Sequence, residues 1–167
     1  MAGGAGRTVV AVAVDYEYFV ASPDRIAALD LGRSPVSQLP SEVAAELPGV
    51  DPAVVLLGLV EVLSTERYEV LLAKTAGEVV HDGGDTGPWV IAIDDFVVSA
   101  IQGADGDPEM EWEDAVGQWS TLVGDELTDA IGDGDVDEDA LLEITDELRR
   151  LCGSVDAEHR LYCWTQR

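Results

Sequence analysis

Short runs rich in valine and aromatic residues mark the first predicted strand of this chain. Thr8–Val20 contains no proline or glycine, which is typical of a strand near the centre of a sheet. Successive side chains of a strand point to opposite faces. The predicted faces are Tyr16, Tyr18 and Val20 on one side, and Glu17 and Phe19 on the other.

Two further apolar runs predict a β-hairpin. Glu78–His81 and Trp89–Ile93 flank the segment Asp82–Pro88, which contains three glycines and one proline. Near the end of the sequence, Arg160–Thr165 is rich in aromatic and apolar residues and predicts a last strand. Together with the first strand, these segments predict a small, mostly antiparallel sheet.

Helical spacing of hydrophobic residues dominates the middle of the chain. A short helical segment is predicted over Pro23–Leu29, and Asp51 and Pro52 are typical of a second helix start. The stripe that follows is Val55, Leu56, Leu59, Val60 and Leu63. Thr65–Lys74 favours another helix, with a strand over its second half as the alternative. Its inward positions are Tyr68, Leu71 and Leu72.

Three later segments also predict helices. Asp94 is placed to cap a helix that carries Phe96, Val97 and Ile101. The next helix has Trp112, Val116, Trp119 and Val123 at helical spacing. The last begins at or beside Asp137, and its inward positions are Leu141, Ile144, Thr145, Leu148, Leu151 and Cys152.

Prolines and acidic residues mark the predicted loops. Gly32–Pro48 contains three prolines and predicts a loop with at most one helical turn, at Ser41–Leu47. Acidic loops are predicted near residues 103–108 and 132–139. The pattern as a whole predicts one α+β domain, in which the sheet packs against three to five helices.

Negative charge is concentrated in one part of the sequence. Of the 167 residues, 34 are Asp or Glu and 9 are Lys or Arg, which gives a formal net charge of −25. The 74 residues between Lys74 and Arg149 contain no Lys or Arg and hold 22 of the carboxylates. Because 47% of the residues are hydrophobic, we expect a folded domain rather than an acidic disordered chain.

This charge determines which partners the sequence favours. An acidic surface lacks the counterion release that supplies most affinity for nucleic acid, and it is repelled by anionic membranes. It accelerates association with a basic protein instead. The predicted partner-binding residues are Glu109, Glu111, Glu113, Asp114, Asp133, Asp135, Asp139, Glu143, Asp146 and Glu147. The alternative interpretation is an acidic face that only keeps the protein soluble.

Composition also bears on source and compartment. The chain has one lysine, no asparagine and many Ala, Val, Gly and Asp residues, which indicates a GC-rich, actinobacterial genome; salt adaptation is the rival explanation. We expect a cytoplasmic protein, because no secretory signal and no apolar run of about 20 residues is present. Two cysteines, Cys152 and Cys163, favour buried free thiols over a disulfide framework.

Alternate aspartates raise a second hypothesis, divalent-cation binding. Asp133, Asp135, Asp137 and Asp139 have the spacing with which a calcium loop begins. Counted from Asp133, however, Glu138 stands where the loop needs a glycine and Ile144 where it needs a glutamate. A helix cap on a solvated loop is the favoured interpretation, and Asp105, Asp107 and Glu109 are interpreted in the same way.

An enzyme is the third hypothesis. Asp94 and Asp95 form an adjacent carboxylate pair, and Cys152, His159 and Cys163 could approach one another with Asp156 or Glu158 as orienting acid. Core packing explains both cysteines more simply. A pocket near Tyr16, Tyr18 and Trp89 would be the place for a substrate, and no motif in the sequence predicts a cofactor or a metal.

Three short aromatic motifs, Glu17-Tyr18-Phe19, Trp119-Ser120 and Leu161-Tyr162-Cys163-Trp164, carry a resemblance that spans most of the chain. In their order and spacing the sequence resembles a group of small acidic actinobacterial proteins that have no assigned activity. The resemblance implies a fold built as one unit. In size and charge, the chain is also similar to the immunity proteins of bacterial toxin systems, and neither likeness transfers a functional residue.

Overall fold

A five-stranded antiparallel sheet forms the centre of the protein. The computed structural model describes residues 15–75, 77–131 and 137–167. The strands are β1 (Asp15–Ala21), β2 (Ala44–Glu46), β3 (Glu78–Asp82), β4 (Trp89–Ala92) and β5 (Arg160–Gln166), in the spatial order β2-β1-β5-β4-β3. The helices are α1 (Pro23–Ala28), α2 (Val55–Ser64), α3 (Tyr68–Lys74), α4 (Asp95–Asp105), α5 (Trp112–Ile131) and α6 (Glu138–Gly153). The predicted α+β class and antiparallel sheet are confirmed.

The two faces of β1 belong to two hydrophobic clusters, as its alternation predicts. Tyr18 and Val20 face the helices, while Phe19 packs on the opposite side of the sheet and stacks on Tyr162 with ring centroids 5.4 Å apart. β5 alternates in the same way, because Cys163 lies in the helix-side cluster and Trp164 in the other. The sheet is therefore covered on both faces.

The helical layer is built around α2. Its residues from Val55 to Val60 are all buried, because α3, α4 and α5 pack around it. Asp51 holds the start of this segment: its Oδ1 accepts hydrogen bonds from the backbone N–H groups of Ala53 and Val54, both at 2.8 Å. Trp119 of α5 is completely buried and donates its indole N–H to the carbonyl of Val55 at 2.8 Å.

A buried carboxylate holds the opposite layer against the sheet. Glu17 is only 4% exposed, and its Oε1 accepts hydrogen bonds from the Ser34 hydroxyl at 2.7 Å and the Val36 N–H at 2.9 Å. These bonds compensate the cost of removing the polar side chain from water. They fix the proline-containing loop, which packs together with α1 over Phe19 and Trp164.

The structure corrects several details of the prediction. Ser41–Leu47 contains the strand β2 rather than a helical turn, and α4 continues to Asp105 into the predicted loop. Leu72 is 46% exposed instead of facing inward. The first part of the predicted strand, residues 8–14, lies outside the described residues. In the described part of the chain, no helix is long and apolar enough to cross a bilayer.

Replacement of Gly58 by alanine tests the close packing of α2 on α5. A Cβ atom at this position would lie 2.6 Å from Cγ1 of Val123 and 3.5 Å from the Trp119 ring. We expect Gly58→Ala to lower the free energy of unfolding by about 1–3 kcal/mol, because overpacking outweighs the gain in helix propensity. Denaturant unfolding measures the change.

The matched control is Gly117→Ala, in α5. A Cβ atom there meets nothing within 4 Å, so the substitution should raise the free energy of unfolding by roughly 0.5–1 kcal/mol. Equal stabilisation by both substitutions would show that α2 and α5 are not in close contact at Gly58.

Candidate functional site

The predicted partner-binding carboxylates fall into two groups in the structure. Glu109 and Glu111 lie in the α4–α5 connection, and Glu113 and Asp114 in the first turn of α5. The second group lies along α6 and comprises Asp139, Glu143, Asp146 and Glu147. Asp133 and Asp135 are outside the described residues. We call the group at the α4–α5 connection and the start of α5 the first acidic region, and the group along α6 the second acidic region.

The two arginines at the end of α6 neutralise part of the second region. Arg149 binds Asp105 at 2.6 Å and Asp146 at 3.3 Å, and its guanidinium lies 4.8 Å from the centre of the Trp112 ring. Arg150 pairs with Glu147. The acidic block is thus partly compensated, because residues that follow it in sequence fold back onto it.

The first acidic region contains two carboxylates in mutual contact. Asp114 raises the pKa of Glu111 above its usual range, first through a side-chain hydrogen bond and then through charge repulsion. Such a pair is most stable when it shares a proton. The contact is therefore less favourable once the Glu111 carboxyl has lost its proton.

A shallow groove lies between β2 and α6 and is lined by Glu143, Asp146 and Glu147 of the second region. One part has a volume of about 510 Å³ and runs along Ala44 and Ala45 to Glu147 and Arg150. An adjoining part of about 490 Å³ lies between Pro48 and Ile144, and both parts share Glu46 and Glu147. We call these two adjoining depressions together the β2–α6 groove.

The β2–α6 groove combines an apolar lining with free carboxylates. Pro48, Ala140 and Ile144 supply apolar surface. Among the described residues, neither Glu46 nor Glu143 has an ion-pair partner, whereas Glu147 is paired with Arg150. Since Arg150 also donates to the carbonyl of Ser41 at 2.7 Å, it joins the two walls at one end.

The two tyrosines of the suggested enzyme pocket use their hydroxyl groups in hydrogen bonds within the fold. The Tyr16 hydroxyl donates to Oδ2 of Asp51 at 3.1 Å, and the Tyr18 hydroxyl donates to the carbonyl of Val50. Burial is the largest cause that raises the pKa of both phenols. They remain protonated and join β1 to the segment that starts α2, while Trp89 lies 5.7 Å from the Arg167 guanidinium.

Both cysteines are free thiols and buried, so they serve as packing residues of the core. Burial raises the pKa of the Cys152 thiol to about 12, with a smaller contribution from Asp105, and it also raises the pKa of Cys163. Thiols in this state are poor nucleophiles. His159 lies 2.8 Å from Oδ1 of Asp156, and this contact lowers the pKa of the Asp156 carboxyl.

Three aspartates of the cation hypothesis that the structure describes, Asp105, Asp107 and Asp137, have structural partners. Asp137 caps α6 by accepting from the N–H of Asp139 at 3.0 Å, and Asp94 caps α4 in the same way. Asp105 is bound by Arg149, and Asp107 accepts from the N–H of Glu109 at 2.9 Å. Within the described ranges, no group of three or more His, Cys, Asp or Glu residues is arranged to hold a metal ion.

Sequence reasoning missed Glu46 and the strand that carries it. Pro40 and Pro48 made the whole segment resemble a loop, although prolines also occur just outside short edge strands. The pairing of Ala44, Ala45 and Glu46 with β1 depends on contacts between segments that are distant in sequence. Comparison with family models, with curated proteins and with solved structures gave no match for this chain.

Substitution of Glu111 by glutamine tests the carboxylate pair in the first acidic region. A group whose pKa is raised by folding stabilises the fold below its unfolded pKa and loses this contribution as the pH rises through its folded pKa. Glu111→Gln should therefore raise the melting temperature at pH 7 by a small amount. The difference from the unmodified protein should shrink at acidic pH, which thermal melts at both pH values will measure.

Glu109→Gln is the control, since it removes the same charge from the same connection. A gain equal to that of Glu111→Gln at pH 7 would show that overall charge, and not the Glu111–Asp114 contact, causes the effect.

Proposed function

We propose that this protein is a non-enzymatic interaction protein that binds a basic protein partner, in the manner of an immunity protein or inhibitor. The observation that carries this proposal is the β2–α6 groove. It combines a concave shape, an apolar lining and carboxylates without an ion-pair partner among the described residues.

The shape of the groove supports a binding role. Stable interfaces generally bury an apolar centre inside a polar rim, and the apolar centre supplies much of the affinity. Pro48, Ala140 and Ile144 provide apolar surface in the groove, while Glu46 and Glu143 lie beside it. A partner segment with lysines or arginines around one or two apolar residues has the matching pattern.

The charge of the whole molecule supports the same partner class. A net charge of −25 attracts a basic protein from a distance and speeds its association, most strongly at low salt. Arg149 and Arg150 form ion pairs with Asp105, Asp146 and Glu147. Fewer carboxylates therefore remain for a partner than the sequence alone indicates. Glu46 and Glu143 are therefore the residues on which binding should depend most.

The test is capture of basic proteins from a lysate of the source organism on immobilised protein. Charge reversal at Glu46→Lys with Glu143→Lys replaces two attractive contacts by two repulsive ones. We expect the specific partner to bind the double variant about tenfold or more weakly, because each exposed pair contributes roughly 0.2–1 kcal/mol and a tenfold change is about 1.4 kcal/mol. Binding isotherms with the purified partner will measure the affinity.

The control is the double variant Glu66→Lys with Glu158→Lys, which makes the same change in net charge at two exposed positions outside the groove. It should retain most of the affinity at moderate salt, where charges separated by more than about 10 Å are screened. Equal loss in both double variants would refute the groove as the binding site and leave only nonspecific charge attraction.

A further inference from the structure

The edge of the sheet at β2 is open on the side of the groove. β2 is the first strand in the order β2-β1-β5-β4-β3, and it has one neighbouring strand among the described residues. The groove runs beside it and is lined by both Ala44 and Ala45, which belong to opposite faces of the sheet. A cavity lined by residues of both faces lies at the edge of the strand.

The pairing of β2 with β1 determines which backbone groups point into this space. The Val20 N–H donates to the carbonyl of Val43 at 2.8 Å, and the Leu47 N–H donates to the carbonyl of Tyr16 at 3.0 Å. Hydrogen-bonded and non-hydrogen-bonded pairs alternate along an antiparallel ladder. The N–H and C=O groups of Ala44 and Glu46 therefore point away from β1, toward the groove.

Carboxylates flank this edge on both faces of the sheet. Glu46 pairs with Glu17, so its side chain lies on the face that α1 covers, whereas Glu143 and Glu147 lie on the helix side. A strand placed against β2 would direct its side chains alternately to these two faces. Lysine or arginine side chains on either face of the added strand would therefore lie near a carboxylate.

We propose that the basic partner binds as an extended segment that adds a strand to β2. The proposal rests on the proposed function and specifies its binding mode: backbone hydrogen bonds to Ala44 and Glu46 give affinity, and the flanking carboxylates select lysine or arginine. The opposite edge, β3, is less suited to this role because its register shifts between Val79 and His81, and such bulges hinder regular pairing.

The probe for the test is an end-blocked peptide of alternating lysine and threonine, a composition that favours extended structure. Two variants of Glu46 differ in whether the backbone N–H of this residue is present. Glu46→Gln removes the charge and keeps the N–H, while Glu46→Pro removes the charge and the N–H together. Proline is tolerated on an edge strand where its nitrogen faces away from the neighbouring strand.

We expect the peptide to bind the unmodified protein at low salt and Glu46→Gln slightly less tightly. Glu46→Pro should bind a further threefold to tenfold more weakly than Glu46→Gln, which is about the effect of one backbone hydrogen bond. In the unmodified protein, peptide binding should slow hydrogen exchange of the Ala44 and Glu46 amides. This second measurement does not depend on the folding of the proline variant.

Three results separate the outcomes. Weaker binding to Glu46→Pro than to Glu46→Gln, together with slower amide exchange, supports strand addition. Equal affinity of the two variants with unchanged exchange overturns strand addition, while salt-sensitive binding leaves the proposed function in place. Failure of the peptide to bind even at low salt contradicts both.

Discussion

The pairing of β1 with β5 is the interaction on which the rest of the structure depends. Seven residue pairs, from Asp15 with Gln166 to Ala21 with Arg160, join the two ends of the described chain. Both strands contribute to the hydrophobic clusters on both faces of the sheet. The groove depends on the same pairing, because β2 is held by β1 and α6 leads into β5. Its walls come from segments about 100 residues apart, and their separation is fixed by the central pair.

Charge is the second constraint on this fold. Arg149 and Arg150 lie in the last turns of α6, where a cation also interacts favourably with the helix dipole, and from there they bind Asp105, Asp146 and Glu147. These two of the nine basic residues thus reduce repulsion among the carboxylates of α4 and α6. Glu111 with Asp114 remains a contact between two carboxyl groups, and it is less favourable once the Glu111 carboxyl has lost its proton. The surface is therefore not uniformly acidic: some carboxylates have internal partners, whereas Glu46 and Glu143 have no ion-pair partner among the described residues.

The sequence predicts the regular elements well because their patterns are local. The alternation of Tyr16 to Val20, the caps at Asp94 and Asp137 and the stripe of α6 depend on residues within a few positions of each other, and the structure bears them out. The strand β2 could not be predicted, since three residues beside prolines carry no pattern without their partner β1. The candidate site was only partly foreseen for the same reason. Glu143 and Glu147 stand out on α6, but the groove that they line exists only when α6 lies beside β2.

An open strand edge is a hazard in a soluble protein, because any other unpaired strand can add to it. The carboxylates beside β2 reduce this hazard for self-association, since a second copy brings its own charge of −25 and its own Glu46 and Glu143. Solubility alone would be served by charge anywhere on the surface and would not need an apolar groove beside the edge. In the proposed binding mode, the carboxylates at β2 would repel acidic chains and leave the backbone groups of Ala44 and Glu46 accessible to a basic one. The same carboxylates would thus repel an acidic chain and attract a basic one. Specificity arises from the difference between these two interactions.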